Sequence, residues 1–191
     1  MDTRIVLLEA ALKVLEDEGE ALFSTRRVCA IAGVSAPTLY HHYGSADGLL
    51  SAAIAEAFAQ FLESKRSAAQ SSDPITALRE GWDDYVRFAA ARPRLYAAMM
   101  GRVLGGGDIP AATQAWALLI ERVGAIAAQG RLAPPPAEAA DLLWASANAA
   151  SLLFVTARVR ETPEPAPATL ERIREGAMRA VLNAEPKGLA P

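Results

Sequence analysis

The chain has 191 residues, of which 52% are apolar and 21% charged, with a formal net charge of −3. This length allows a sizeable core without cross-links. Cys29 is the single cysteine, which excludes an internal disulfide and a cysteine-rich metal site. Val, Ile and Thr are sparse and alternating patterns are rare, so an all-α fold is predicted. No secretory leader is recognisable, so we expect a cytoplasmic protein.

The most apolar stretch, Leu142 to Ala157, is interpreted as a buried helix. A membrane-spanning helix needs about 20 predominantly apolar residues. This stretch is shorter and contains Ser146, Asn148 and Ser151. We therefore expect no membrane association.

The distribution of charged residues along the chain says more about possible partners than the net charge does. A negative total argues against nucleic acid as a partner. However, no Asp or Glu occurs between residues 21 and 46, whereas Arg26, Arg27, His41 and His42 all lie there. A surface free of acids can meet phosphates on an acidic protein, because local charge governs the contact.

The N-terminal third is predicted to form four helices. Ser24 and Ser35 are suitable N-caps for two short helices, and Gly33 breaks the first of these. Pro37 lies in the first turn of the second short helix, where a missing N–H costs little. The predicted helices span residues 3–18, about 25–32, 36 to about 42, and 46–69.

Five further helices are predicted, separated by segments rich in Pro and Gly. They span about 75–91, 93–104, 110–129, 137–160 and 167–183. The expected organisation is a three-helix N-terminal domain (1–45), a connecting helix (46–69), a larger α-helical C-terminal domain (75–183) and a flexible tail (184–191). The total is about nine helices.

The two short helices have the pattern of a helix-turn-helix. Close packing of the pair needs a small residue within the first helix, and Cys29 meets this need. Gly33 suits a positive φ in the turn, and Val28, Val34 and Leu39 are expected to pack on the first long helix. A helix-turn-helix places its second helix in the DNA major groove.

Residues Phe23 to Ser45, which read Phe-Ser-Thr-Arg-Arg-Val-Cys-Ala-Ile-Ala-Gly-Val-Ser-Ala-Pro-Thr-Leu-Tyr-His-His-Tyr-Gly-Ser, resemble the DNA-binding domain of the TetR family. The resemblance extends over about residues 3–62. It implies a transcriptional regulator that binds double-stranded operator DNA as a homodimer and needs no cofactor. The DNA contacts that it implies are Ser24, Thr25, Arg26, Ala36, Pro37, Thr38, Tyr40, His41 and His42.

The implied contacts differ in role. Hydroxyl groups and backbone N–H groups at the start of the first short helix would hold a phosphate, and Arg26 would reach a guanine edge. Tyr40 and His42 would bind phosphates, with His41 facing the groove. The family usually has Lys where this chain has Ala46, so one phosphate contact is expected to be missing.

Other interpretations of these residues remain open. Adjacent residues of a helix point in different directions, so His41 and His42 make a poor metal pair, and no metal site is expected. Tyr40 could instead belong to the core. Cys29 could be a redox sensor, although a buried packing role is favoured.

The C-terminal domain is expected to hold a small apolar effector. TetR-like regulators usually bind an inducer between these helices, and an apolar cavity with few polar anchors suits a hydrophobic ligand. Asn148 is the candidate polar anchor, and a hydrogen bond across the dimer seam is its alternative role. Aromatic and Met residues at helical spacing are, however, more often plain core. The proposed lining comprises Trp82, Tyr85, Phe88, Tyr96, Met99, Met100, Trp116, Leu119, Trp144 and Asn148.

The last two long helices are predicted to form the homodimer interface. The segment around Leu142, Ala150 and Leu153 is nearly uncharged on all sides, which indicates burial on more than one face. Two recognition helices related by a two-fold axis can read a palindrome, which one helix cannot do selectively.

The predicted function is therefore a ligand-responsive repressor that a small hydrophobic effector releases from a palindromic operator. An enzyme is disfavoured, because both histidines lie in the recognition helix and no motif for nucleophilic or metal chemistry is present. A dimeric DNA-binding protein without an effector, and an activator rather than a repressor, both remain open.

Overall fold

The computed structural model describes residues 2–67, 71–107 and 109–183, and within these ranges the chain is all-helical without a strand. This confirms the all-α prediction. The nine α-helices of the described part are α1 (Thr3–Asp17), α2 (Thr25–Ala32), α3 (Ala36–Tyr43), α4 (Ala46–Ser67), α5 (Pro74–Ala91), α6 (Pro93–Leu104), α7 (Pro110–Ala128), α8 (Pro136–Arg160) and α9 (Pro167–Val181).

Local capping determines where the short helices begin and end. The Ser24 hydroxyl accepts a hydrogen bond from the backbone N–H of Arg27, and Ser35 does the same for Thr38. Gly33 has a φ of 66°, a left-handed conformation that closes α2 and favours glycine. These features were predicted, and both helices match the expected bounds to within one residue.

Two small features were not predicted. A single 3-10 turn, Glu20–Leu22, follows α1, and three residues are too few for a periodic signal. An isolated antiparallel bridge pairs Leu132 with Leu182, and the Asn183 side chain donates to the carbonyls of Gly130 and Leu132. This bridge ties the end of α9 to the loop before α8. The last two residues of the predicted helix 46–69 and the predicted tail 184–191 lie outside the described residues.

The first of two compact units comprises residues 1–64 and 91–113. It includes α6, which the sequence analysis had grouped with the C-terminal domain, and α6 packs against α1. The predicted domain boundaries otherwise stay a prediction. The largest fully buried side chains of this unit are Leu7, Val14, Leu15, Val28, Leu39, Leu49, Ile54 and Leu95.

The second unit comprises residues 65–90 and 114–191. Its core joins α5, α7, α8 and α9, with α8 and α9 in extensive contact. The core members include Leu78, Trp82, Val86, Val123, Ile126, Leu143, Phe154, Met178 and Val181.

The helix α8 is buried on one side only. Within the described part of the chain it is the one helix long and apolar enough to cross a membrane, with a mean hydropathy of 1.3 over a window that is 39% buried. The core helix of a soluble protein can be equally long and apolar, and Leu143, Ala147 and Phe154 lie in the core of the second unit. This feature therefore does not indicate a membrane protein.

Four charged side chains join α5 to α9. Arg79 donates from Nε and Nη2 to the Glu175 carboxylate, each at 3.3 Å. Arg174 pairs with Asp83 at 2.6 Å and with Glu175 at 3.1 Å. The hydrogen bond from Arg79, followed by that from Arg174, lowers the pKa of Glu175.

We predict that Glu175→Gln destabilises the protein at neutral pH and reduces its sensitivity to acid. The lowered pKa means that Glu175 contributes stability above its unfolded-state pKa and loses it as pH falls through the folded-state value. Arg79 is 37% exposed, so solvent screening limits the expected loss to about 1 kcal/mol at pH 7. Urea unfolding at pH 7 and at acidic pH measures both effects.

The matched control is Glu171→Gln, which removes an exposed carboxylate from the same helix. It should change the free energy of unfolding little at either pH. Equal acid sensitivity of Glu175→Gln and the wild type would show that the Arg79–Glu175 pair adds nothing to stability.

Candidate nucleic-acid interface

The helices α2 and α3 pack together and against α1. Val28 and Leu39 are fully buried, and they attach the outer two helices to the core of the unit. The opposite sides of both helices are exposed: Arg26 and Ala30 on α2, and His41 on α3. This is the arrangement that a helix-turn-helix needs, with one side for packing and the other for DNA.

The start of α3 is fixed by a local hydrogen bond. The hydroxyl groups of Ser35 and Thr38 lie 2.8 Å apart, and either can donate to the other. Thr38 therefore already has a partner in the free protein. A contact between its hydroxyl and a phosphate would have to share or replace the bond to Ser35.

The end of α3 is fixed to the start of α1. The Tyr43 hydroxyl donates to the backbone carbonyl of Arg4 at 2.7 Å, and the Arg4 guanidinium lies 5.7 Å from the centre of the Tyr43 ring. Burial raises the pKa of Tyr43, outweighing the lowering effect of Arg4. The phenol thus stays protonated and keeps donating at neutral pH.

The two arginines of α2 differ in their surroundings. Arg27 is bound to Glu18, with its Nε and Nη2 atoms 2.8 and 2.7 Å from the carboxylate. This hydrogen bond raises the pKa of Arg27. Arg26 is exposed on the same helix. The ion pair with Glu18 holds the Arg27 guanidinium at the end of α1. This difference between Arg26 and Arg27 was not predicted from the sequence.

None of the nine predicted DNA contacts is buried. Tyr40 is 48% exposed, which excludes its interpretation as a core residue. All nine lie on α2, α3 or the caps of these helices, but their contacts with DNA stay a prediction. The exposed members are Ser24, Arg26, Pro37, Tyr40 and His41, and the half-buried ones are Thr25, Ala36, Thr38 and His42.

The two histidines and Cys29 have well-defined surroundings. The rings of His41 and His42 lie 5.2 Å apart, edge to face. In the described ranges, no group of three or more His, Cys, Asp or Glu side chains could hold a metal ion. Cys29 is buried, and burial raises the pKa of its thiol, which opposes formation of the reactive thiolate.

Polar contacts join α5 to α8 among the predicted ligand residues of the second unit. Trp82 Nε1 donates to the Ser146 hydroxyl, and the Tyr85 hydroxyl donates to Asn148 Oδ1, each at 2.9 Å. Asn148 Nδ2 donates to the Trp144 carbonyl at 2.7 Å. These bonds of Asn148 lie within one chain, and its roles as a ligand anchor or as a contact across a dimer seam stay predictions.

The exposure of the other predicted ligand residues varies. Trp116 and Trp144 are 37% and 38% exposed, and their rings meet edge to face at 6.5 Å. Leu119 packs on the core of the second unit, and Phe88 is half-buried. In the first unit, Tyr96 and Met99 are buried and Met100 is half-buried. One ligand site formed by all ten residues stays a prediction.

The comparison with protein families matches part of the chain. Residues 7–53 match the family described as bacterial regulatory proteins, tetR family. These residues include most of α1, all of α2 and α3, and the start of α4. No curated protein matches the chain significantly.

Several solved structures share the fold over almost the whole chain. A TetR-family transcription regulator from Marinobacter aquaeolei VT8 is 23% identical, with a TM-score of 0.72 and coverage of 95% of this chain and 96% of that one. A putative TetR-family transcriptional regulator from Vibrio parahaemolyticus is 18% identical, with a TM-score of 0.68 and coverage of 96% and 100%. A Rhodococcus sp. RHA1 protein of unknown function is 22% identical, with a TM-score of 0.78 and coverage of 96% and 97%.

We predict that Arg26→Gln weakens duplex binding more than Arg27→Gln does. Arg26 is exposed, whereas Arg27 would have to leave Glu18 to reach DNA. A lost base contact costs about 1–3 kcal/mol, or roughly fivefold to over a hundredfold in affinity. Fluorescence anisotropy with a duplex selected by the wild-type protein from a random pool measures both variants, which carry the same charge change. Equal losses would contradict the proposed difference between the two arginines.

Proposed function

We propose that this chain is a DNA-binding transcriptional regulator of the TetR family, and that it is a homodimeric repressor whose release from operator DNA is controlled by a small hydrophobic effector. Its site of action is the cytoplasm. The match of residues 7–53 to the tetR family of bacterial regulatory proteins supports the family and the DNA-binding role. The observation that carries the proposal is the exposed face of α2 and α3, in a segment without any acidic residue from 21 to 46.

The chemistry of this face suits a duplex. An exposed Arg26 can donate two hydrogen bonds to a guanine edge, and Tyr40 and His42 offer polar groups to phosphates. Ala36 and Pro37 offer only van der Waals contacts at the start of α3. Base discrimination therefore depends mainly on Arg26, Thr38 and His41.

A second copy of the chain is the proposed partner of α8. Leu142, Leu152, Leu153 and Val159 are between 37% and 76% exposed. These residues, together with Ala145 and Ala149, lie on one side of the helix at a spacing of three and four. Packing α8 and α9 against the same helices of a two-fold partner would bury this apolar surface.

The dimer also explains how a short α3 can select a site. One recognition helix reads too few base pairs for selectivity. Two copies about 34–36 Å apart would meet successive major grooves of a palindromic operator. Repression would then follow when the operator overlaps a promoter.

The polar contacts of the second unit favour an effector. Tyr85, Ser146 and Asn148 are polar groups among the apolar side chains of α5 and α8, and a hydrophobic ligand needs few such anchors. An effector would act by binding one arrangement of the dimer more tightly, with a coupling of about 1–3 kcal/mol.

A dimeric regulator without an effector is the second candidate. Trp82, Tyr96 and Met99 are only 2–5% exposed, which is the packing of ordinary core residues. The two candidates differ in whether a hydrophobic compound stabilises the protein.

The proposed function predicts that the wild-type protein selects an imperfect palindrome from a random pool of duplexes.

The proposed effector is tested separately. A panel of hydrophobic and aromatic compounds is screened by thermal shift, and any stabilising compound is added to the protein–duplex complex. An effector should raise the melting temperature and weaken duplex binding. Selection of no duplex at low ionic strength would contradict the function, and a panel without a stabilising compound would favour the second candidate.

The proposed dimer predicts that Leu152→Asp yields monomers. Burying an unpaired carboxylate in an apolar interface costs several kcal/mol, whereas Leu152 is 50% exposed within one chain, so the fold should tolerate the change. Sedimentation equilibrium measures the fraction of dimer. The control is Ala59→Asp, the same added charge on an exposed side of α4, which should remain dimeric. An unchanged dimer in Leu152→Asp would place the interface elsewhere.

A further inference from the structure

We propose that the effector is an amphipathic carboxylic acid, whose carboxylate binds Arg122 of α7 while its apolar body lies against a half-buried side of α5. This inference rests on the effector-binding function proposed above and adds to it the charge of the effector. The site is formed by residues of α5, α7 and α8, all within the second unit.

Arg122 differs from the other half-buried arginines of the second unit. In the part of the chain that the structure describes, these arginines are Arg79, Arg122, Arg131 and Arg174. Ion pairs with Asp or Glu neutralise three of the four, whereas Arg122 has no acidic partner among the described residues. A cation that is partly removed from water without an anion costs free energy, so an anion that pairs with Arg122 would be bound favourably.

A glycine of α5 gives the Arg122 guanidinium its place. A Cβ at Gly81 would collide with Nη1 of Arg122, so this nitrogen lies directly on the backbone of α5. Gly81, Tyr85 and Phe88 follow one another at steps of four and three, which places them on one side of the helix. All three are half-buried, whereas Trp82 on the neighbouring side is buried. Arg122 therefore lies on an apolar side of α5 that is still partly open to solvent.

The acidic side chains of α5 are bound elsewhere. Asp83 pairs with Arg174 and Asp84 pairs with Arg87, each at 2.6 Å. The Glu80 carboxylate accepts a hydrogen bond from a backbone N–H ahead of α5. The helix on which Arg122 lies thus has three carboxylates, and each of them has another partner.

A buried hydroxyl of α8 is a second group without a partner. The Tyr85 hydroxyl donates to Asn148 Oδ1 at 2.9 Å, and Ser151 follows Asn148 by about one turn of α8. The Ser151 side chain is fully buried, and within the described ranges its hydroxyl has no hydrogen-bond partner. Buried hydroxyl groups normally have one, and an oxygen atom of a bound acid would supply it.

The apolar surroundings favour a carboxylate over a phosphate. Leu119, three residues before Arg122 on α7, packs on the core of the second unit, as does Tyr85. A carboxylate carries one charge and accepts two parallel hydrogen bonds from a guanidinium. A phosphate monoester carries a charge of about −2 at neutral pH, so one guanidinium would leave part of that charge unpaired beside apolar side chains, which is costly.

Gly81→Ala separates acid binding from stability, because its two expected effects have opposite signs. The added Cβ displaces the Arg122 guanidinium without removing its charge, so affinity for an acid should fall about three- to tenfold. Alanine is more favourable than glycine inside a helix, so the unliganded variant should melt at a temperature no lower than that of the wild type. Arg122→Met should lose about ten- to hundredfold in affinity. The matched control, Arg160→Met, removes the same charge from the exposed end of α8 and should bind acids like the wild type.

The probes are octanoate, 4-phenylbutyrate and indole-3-acetate, each compared with its primary amide, which has nearly the same shape but no charge. Thermal shift and titration calorimetry measure their binding to the full chain in the absence of DNA. At least one acid should raise the melting temperature and bind more tightly than its amide, and this preference should disappear in Arg122→Met.

Three results would overturn the inference: no stabilisation by any of the acids, amides that bind as tightly as the acids, or a preference for the acid that survives in Arg122→Met. Stabilisation by the amides alone would leave the proposed effector in place and remove its charge. If the wild type selects no duplex, the proposed DNA-binding function fails instead, and the acid titrations still decide whether Arg122 binds a carboxylate.

Discussion

The burial of one face of α1 is the contact on which the proposed DNA-binding surface depends. Leu7, Ala11, Val14 and Leu15 are fully buried, and α1 packs against α2, α3 and α6. Two short helices of eight residues each could not hold their shape alone, because isolated helices of this length are unstable in water. The apolar face of α1 gives them a fixed base and leaves their outer sides exposed.

Polar contacts then orient what the apolar core holds together. Burial is not directional, whereas a hydrogen bond or ion pair joins particular atoms. The bond from Tyr43 to the Arg4 carbonyl fixes one end of the recognition helix. The Arg102–Asp47 pair connects α6 to the first turn of α4, and α4 begins just after the end of α3. An exposed pair of this kind contributes little stability, but it joins particular atoms of α6 and α4.

The helix α8 combines two apolar sides with different roles. One side, with Leu143 and Phe154, lies in the core of the second unit. The other side, with Leu152 and Val159, is exposed within a single chain. A helix that is apolar all round is normally buried. In the proposed homodimer both sides would be covered, which would account for the apolar composition of α8.

Helix bounds and the helix-turn-helix were predictable from the amino-acid sequence by itself, because caps and breakers act within a few residues of one another. Ser24, Gly33 and Ser35 specify the ends of α2 and the start of α3 in this way. The tertiary structure alone decided which distant side chains meet. Tyr43 and Arg4 are 39 residues apart, Arg102 and Asp47 are 55 apart, and Trp82 and Ser146 are 64 apart. Such contacts leave no periodic pattern in the chain, since they arise only when packing brings separate helices together.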